Sequence, residues 1–311
     1  MVITQDELAA RRSCIGASDA GIILGLSPWK SPADLWHDKV YGCTFKGNAA
    51  TRRGNLFEPL VIQQFEEWGA INGLGDPTVV VPDVRYERCW TTKNGTVVPF
   101  RANTDGVVVT EGCHPKQYDR YLYGECVPQQ VVEAKTARSI DHWGLPGTSD
   151  VPDTYLVQTC VQMWCSGAEH AYIPVQSGFD FYVYSVPRPD EVKLEEIIET
   201  CAEWWAAHVT TKTKPEGPPA SVAVLTTIPR TEGSSIALDE SVHATIMEWE
   251  RTKRQRQLLV AKERELKQQL LAALDNAEMG ELPQGFLTYL ANRKGHRTLK
   301  WEDNPRWNTT E

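Results

Sequence analysis

A chain of 311 residues with 41% hydrophobic and 23% charged residues has an ordinary globular composition, long enough for one large core with an appendage or for two modest domains. Its formal net charge of −9 argues against a non-specific duplex binder, which draws its affinity from Lys and Arg on phosphates, but leaves room for a local basic path. No apolar run approaches the roughly 20 residues that span a bilayer, and residues 1–12 carry no signal-peptide core, so the chain is expected in the cytosol and off the membrane.

In chain order, residues 5–12 look helical. The stretch "CIGASDAGIILGLSPWKSPADLW" then combines a Ser-Asp helix start, a Gly-Leu-Ser-Pro turn and a second helix entered through Ser31-Pro32, a serine cap followed by proline in the first turn. Leu56, Leu60, Val61 and Phe65 recur at near-helical spacing and predict a helix over 48–68, with Glu58 on its inner half. Strand patterns follow at 78–90, 98–110 and 129–137. Residues 111–126 between the last two look like an extended hairpin or loop. Residues 153–167 read as a helix, 170–187 as two strands and 189–208 as another helix.

Residues 212–234 are rich in Pro, Gly, Ser and Thr, which reads as a linker. Beyond it, 239–275 is nearly all helix formers. Leu259, Leu266 and Ala273 fall seven apart, but Glu263 interrupts the alternate seam, so a long amphipathic helix or a short helical hairpin is expected, not a strict coiled coil. The tail predicts two short strands around a Gly turn. Domain 1–210, linker 211–235 and C-terminal helical extension 236–311 are the expected divisions.

The eight cysteines contain no C-x-x-C pair and are expected as reduced thiols. An iron–sulfur site from Cys14, Cys160, Cys165 and Cys201 lacks the usual close triplet. A zinc site from Cys113, His114 and Cys126 lacks a fourth ligand. Most of the eleven tryptophans, Trp29 included, are expected to pack in core or interfaces. Trp143, in a polar loop, is either a plain loop residue or a stacking partner for an unpaired base.

The chemistry lies in "QQVVEAKTA". On a strand, alternation puts Glu133 and Lys135 on one face. Alone that is a solvated strand edge as readily as a site. Asp105 heads another apolar strand, and Glu58 comes from the preceding helix. Together these suit a metal-dependent phosphodiesterase, with Asp105, Glu133 and the Ala134 backbone carbonyl as oxygen ligands to the metal and Lys135 near the attacking water. The expected fold is α/β, a mixed central sheet flanked by helices.

The segments "IGASDAGIILGLSPWKSPADLW", "RRGNLFEPLV", "ANTDGVVV", "VVEAK" and "YLVQTCVQMWCSG", in that order, resemble the YqaJ-type viral recombinases. That family is related to the phage lambda exonuclease within the PD-(D/E)xK nucleases. The resemblance covers residues 11 to about 185. It implies a restriction-endonuclease-like fold, with Asp105 and Glu133 as metal ligands, Lys135 as the catalytic lysine, Glu58 as the helix carboxylate and Gln158 as the glutamine beside the lysine. It also implies Arg11 and Ser18 as holders of a terminal 5′-phosphate. This chain departs from the family pattern at Asn103-Thr104, where Ser-Pro is usual, so Asn103 would take over a serine's part in phosphate binding. Thr136-Ala137 replaces Cys-Pro, and Cys160 replaces a frequent glutamine.

The activity so implied is Mg2+-dependent exonuclease action on duplex DNA ends (Mn2+ as substitute), running 5′ to 3′ and leaving 3′ single-stranded overhangs. The implied partners are a single-strand annealing protein and further copies of the chain in a trimer. An endonuclease on the same fold, or an end-binding recombination mediator without turnover, are the alternatives.

Overall fold

The computed structural model describes residues 10–42, 48–75, 78–109, 130–226, 230–292 and 295–304. Most of the helix expected at 5–12, and the whole of the 111–126 insertion with its proposed zinc ligands, lie outside them. The chain divides into two compact units, Met1–Pro229 and Arg230–Glu311.

The first unit is α/β. A seven-stranded mixed sheet forms among the described residues: β1 (Ile15–Gly16), β2 (Val79–Thr91), β3 (Val97–Val109), β4 (Gln130–Val132), β5 (Lys135–Ala137), β6 (His170–Ser177) and β7 (Asp180–Pro187). Helices α1 (Ala17–Ile23), α2 (Pro32–Tyr41), α3 (Ala49–Ile71), α4 (Asp153–Ser166) and α5 (Glu191–Trp204) accompany it. The expected α/β class, a mixed sheet with flanking helices, is what the chain adopts. The helix ends follow local rules. Ser31 caps α2 by accepting from the Asp34 amide, Asn48 caps α3 by accepting from the Thr51 amide, and Gly167 ends α4 in the left-handed conformation, which costs a residue without Cβ little.

β3 organises the sheet. The 13-residue β2 runs antiparallel along one side of it. On the other side, β1 pairs in parallel with Phe100–Arg101, and β4 pairs antiparallel with Gly106–Val108. Between those two short partners, residues 102–105 of β3 have no neighbouring strand on that side among the described residues, and the candidate site lies at this gap.

The 129–137 segment is not one strand. β4 and β5 both pair with β6 in a single parallel register, separated by Glu133–Ala134. The break has a chemical cause. That register sets Pro174 level with Ala134, and proline has no N–H to give the ladder. The Glu133 amide still donates to the Tyr172 carbonyl of β6 (2.9 Å), while the Ala134 amide, pointing the other way along the strand, donates to the Asp105 carboxylate (2.8 Å).

α4 packs between α1 and the sheet. Trp164, Phe100, Val161, Cys160, Leu194 and Ile198 share one buried cluster, and Gly21 of α1 lies so close to Thr154 that an added Cβ would meet its Oγ1 at 2.5 Å. Two arginines satisfy the carbonyls near the end of α4. Arg88 donates to the Trp164 carbonyl (2.8 Å) with its guanidinium over the Trp164 ring, and Arg188 donates to the Met163 carbonyl (2.7 Å). Carbonyls in a last helical turn lack the next turn's donors; that of Met163 accepts from the Gly167 amide (2.9 Å) as well. Trp36, Trp164 and Trp205 are buried as expected, whereas Trp29 is 70% exposed.

Cys14, Cys160 and Cys201 are buried free thiols. Burial pushes the Cys160 thiol up to about 11 and Cys201 up to about 12, a protonated, inert state. The segment after α5 stays on this unit as far as residue 226: Ala220 is buried, and the Ser221 amide donates to Asp34 (2.6 Å).

The second unit is one 34-residue helix, Ser241–Leu274, followed by an antiparallel sheet of Met279–Leu282, Gly285–Ala291 and Arg297–Asp303. The sequence pattern suggests two of these strands. The first is short and holds one intermediate position among exposed ones, so it shows no alternation to read.

Candidate active site

Four side chains meet at the break between β4 and β5. Glu133 is buried, and its two oxygens are shared among three donors. Lys135 Nζ and Gln158 Nε2 (2.6 Å) both donate to Oε1, and Gln162 Nε2 donates to Oε2. Glu133 and Lys135 therefore meet as strand alternation demands, because β5 resumes the register that β4 left. Gln158 and Gln162 stand one turn apart on α4, which puts both amides on the same helix face.

Asp105 comes from the gap in β3 and accepts from the Ala134 amide. Burial is the largest influence on its carboxyl, and together with the Glu133 charge it holds that group well above the ordinary carboxylate range, against the pull of Lys135. For Lys135, burial opposes the charged form, but the Glu133 and Asp105 carboxylates outweigh it and keep its pKa above the usual lysine value.

The other wall of the site is α3. Thr51, Gly54, Asn55 and Glu58 recur at helical spacing and line a cleft of about 260 Å3 together with Asp105, Glu133, Ala134 and Lys135. The Glu58 carboxyl is also raised, first by burial and then by the Asp83 and Glu133 charges. Asp83 lies opposite Asp105 in the β2–β3 register and has a left-handed backbone (φ 57°).

These oxygens make a hard donor set. Asp105, at the Ala134 amide, and Glu133 line the cleft together with Ala134, and among the described residues no His or Cys lines it. Such a set suits Mg2+ or Mn2+ better than Zn2+. Among the described residues no three His, Cys, Asp or Glu side chains converge as a metal-ligand group, and Glu58 lines the cleft from α3.

The three phosphate-binding candidates sit around the other end of the gap. β1 runs parallel to β3 with Gly16 level with Arg101, and α1 begins at the next residue, Ala17. Ser18 is exposed, and it is not the helix cap: that position is Gly16, whose amide donates to Asp19 (2.8 Å). Arg12 is committed to the end of α2, donating to the carbonyls of Lys39 (3.4 Å) and Val40 (3.0 Å). Arg11 is exposed; its backbone carbonyl accepts from Lys39 Nζ (2.6 Å), and its guanidinium has no hydrogen bond among the described residues. Asn103 is exposed and accepts from Arg85 Nε (3.2 Å).

Two features were not legible in the sequence. Gln162, fully buried, bridges the Asn103 carbonyl (3.2 Å) and Glu133. Its spacing of four from Gln158 was the available signal. Trp143 is half-buried, with its ring tilted against Tyr155 (5.4 Å) and Tyr184 (5.0 Å) beside a core cluster.

Comparison with known proteins follows these features. Residues 8–169 match the model of the YqaJ-like viral recombinase domain. The protein YqaJ of Bacillus subtilis (strain 168), described as uncharacterized, is 26% identical over 211 residues, which is 65% of this chain. The chain spans 56% of the length of that relative. Among solved structures, an alkaline exonuclease (LHK-Exo) from Laribacter hongkongensis is 18% identical, with 68% of this chain and 97% of that one covered at a TM-score of 0.43. A phage related exonuclease from Haemophilus somnus 129PT is 13% identical, with 64% and 96% covered at a TM-score of 0.38. The matched segment takes in just over half of the chain, including Asp105, Glu133, Lys135, Gln158 and Gln162, and the chain belongs to the YqaJ-like viral recombinase domain family.

Proposed function

We propose that this chain is a metal-dependent DNA exonuclease that trims duplex ends 5′ to 3′ and leaves 3′ single-stranded overhangs. The observation that carries the proposal is the buried Glu133, with Lys135 and Gln158 on one oxygen and Asp105 across the break. Structural ion pairs are usually satisfied away from solvent-filled clefts. This pair opens onto one, beside a carboxyl that burial and a like charge disfavour as an anion, and such frustration is typical of sites that await a cation.

Asp105, Glu133 and the Ala134 carbonyl would hold Mg2+, or Mn2+ in its place, and the ion would supply charge stabilisation at the scissile phosphate and a more acidic water. Lys135 would orient the attacking water, with Gln158 and Gln162 keeping the Glu133 carboxylate in place beside it. Glu58 would face the same water or phosphate from α3. Arg11, Ser18 and Asn103 would hold a terminal 5′-phosphate, the free guanidinium in bidentate fashion. On this reading the enzyme works in the cytosol, assembles as a homo-oligomer (a trimer by family resemblance) and passes its overhangs to a single-strand annealing protein.

The test uses linear duplex DNA with 5′-phosphate or 5′-hydroxyl ends and a closed circular plasmid, each with Mg2+ or EDTA, for the wild-type chain and Lys135→Ala. Mg2+-dependent loss of the 5′-phosphorylated strand, an intact circle and an inactive variant are expected. Nicking of the circle would mean an endonuclease. Binding of ends with no hydrolysis under Mg2+ or Mn2+ would mean a recombination mediator.

A further inference from the structure

Tyr155, in the first turn of α4, is surrounded by the site's aromatic groups. Lys135 Nζ lies 4.9 Å from its ring centroid, and the half-buried Trp143 ring packs on it with centroids 5.4 Å apart. On another side its ring meets Trp29, with centroids 6.1 Å apart and planes inclined by 36°. Trp29 is 70% exposed, so one of the largest apolar side chains of the protein faces water beside the catalytic lysine's own aromatic neighbour.

The indole does not sit on a loose loop. Gly25 takes φ 73°, and the amides of Leu26 and Ser27 both donate to the Gly21 carbonyl (2.8 and 3.1 Å). The Trp29 amide donates to Ser27 Oγ (3.3 Å), and Lys30 is ion-paired to Asp38 of α2. The close approach of Gly21 to Thr154 fixes this turn against the start of α4. A rigidly presented indole forgoes the burial that usually stabilises tryptophan. Pre-ordering also lowers the entropic cost of receiving a flat ligand.

Resting on the nuclease reading above, we propose that Trp29, backed by Tyr155, is a stacking site for an unpaired nucleobase of the strand held at Lys135. The Tyr155 ring spans from the lysine to the indole, so a nucleotide whose phosphate lies at the cleft has its base, or its neighbour's, within reach of Trp29. Stacking suits an enzyme that must accept any sequence, because every base has a π-face. Trp143 is the less open of the two indoles, half-buried against Tyr155 and Tyr184.

The experiment compares full-length wild type, Trp29→Ala and Trp29→Phe. The substrates are 5′-phosphorylated duplexes with either a blunt end or a short unpaired 5′ end carrying 2-aminopurine. Binding is titrated in Ca2+, and hydrolysis is followed in Mg2+. Trp29→Ala should weaken binding of the unpaired end roughly 5- to 150-fold, raising KM much more than it lowers kcat. Trp29→Phe should recover most of the loss. The 2-aminopurine emission should be quenched by wild type and Trp29→Phe, and not by Trp29→Ala. Circular dichroism verifies that each variant is folded. If wild type cuts DNA and Trp29→Ala matches it in KM and in quenching, the stacking site is wrong and the nuclease reading stands. If wild type neither binds nor cuts, both fall together.

Discussion

Gln162 shows how one side chain can serve strand and site together. The gap between β1 and β4 leaves the Asn103 carbonyl without a strand donor on that side, and the Gln162 amide fills it while also holding Glu133. Its own Oε1 is buried with no hydrogen-bond partner among the described residues, a cost accepted only for a well-placed amide. Gln162→Leu should lower kcat about 10- to 100-fold, since a hydrogen bond to a charged group contributes about 1.5–3 kcal/mol, with the melting temperature reporting any loss of stability separately. A variant with wild-type turnover would show that Gln158 and Lys135 hold Glu133 unaided. Asp105 gives a pH prediction. Its folded pKa is raised, so its stabilising contribution is complete below the unfolded carboxylate pKa and is lost as pH rises through the folded value. In EDTA, thermal stability should therefore fall with rising pH above the ordinary carboxylate range. Asp105→Asn should flatten that fall, raise stability at neutral pH and lose activity. Mg2+ should stabilise wild type and not the variant. A wild-type melting curve insensitive to both pH and Mg2+ would remove the argument.

Among the elements, α2 reaches the site through Lys39. That ammonium is buried and gives all three of its protons away: to the carbonyls of Arg11 (2.6 Å) and Cys14 (2.8 Å) and to the Asp19 carboxylate (2.6 Å). It thereby ties α2 to the turn that carries Arg11 and to the helix that carries Ser18. Lys39→Met should cost about 3 kcal/mol, since it leaves a largely buried carboxylate without its partner, and urea denaturation measures this. Any preference for 5′-phosphate over 5′-hydroxyl ends should fall as well, because the exposed groups lose their common anchor. Lys39→Arg should not rescue it, as a planar fork does not match three acceptors spread around an ammonium. A variant as stable as wild type would show that the anchor lies elsewhere.

For the molecule as a whole, every candidate site residue lies in the unit Met1–Pro229. Residues 1–229 prepared alone should fold and keep Mg2+-dependent hydrolysis of short duplexes within a few-fold of the full chain, as circular dichroism and a gel assay can show. A folded but inactive fragment would mean that residues 230–311 take part in DNA binding or assembly. The net charge of −9 is no obstacle, because a local path of cations decides phosphate contact and total charge does not.

The sequence alone was enough for the α/β class, most helices and strands, and the acid–lysine set at Asp105, Glu133 and Lys135. Those depend on local order: apolar periodicity, Ser-Pro and Asn caps, and alternation along a strand, which survives a break if the register resumes. What depended on the tertiary structure were contacts between distant segments. Pro174 of β6 withholds an N–H from the ladder level with Ala134, and the Ala134 amide meets Asp105 of β3 on its other side. The β1–β4 gap recruits Gln162. The end of α2 occupies Arg12 and leaves Arg11 exposed. The tryptophans exchanged roles for the same reason: Trp143 finds Tyr184 from a later strand to pack on, whereas Trp29 has Tyr155 on one side and water on the other. Periodicity reports which face of an element is apolar, but it carries no information on which distant residue arrives to cover it.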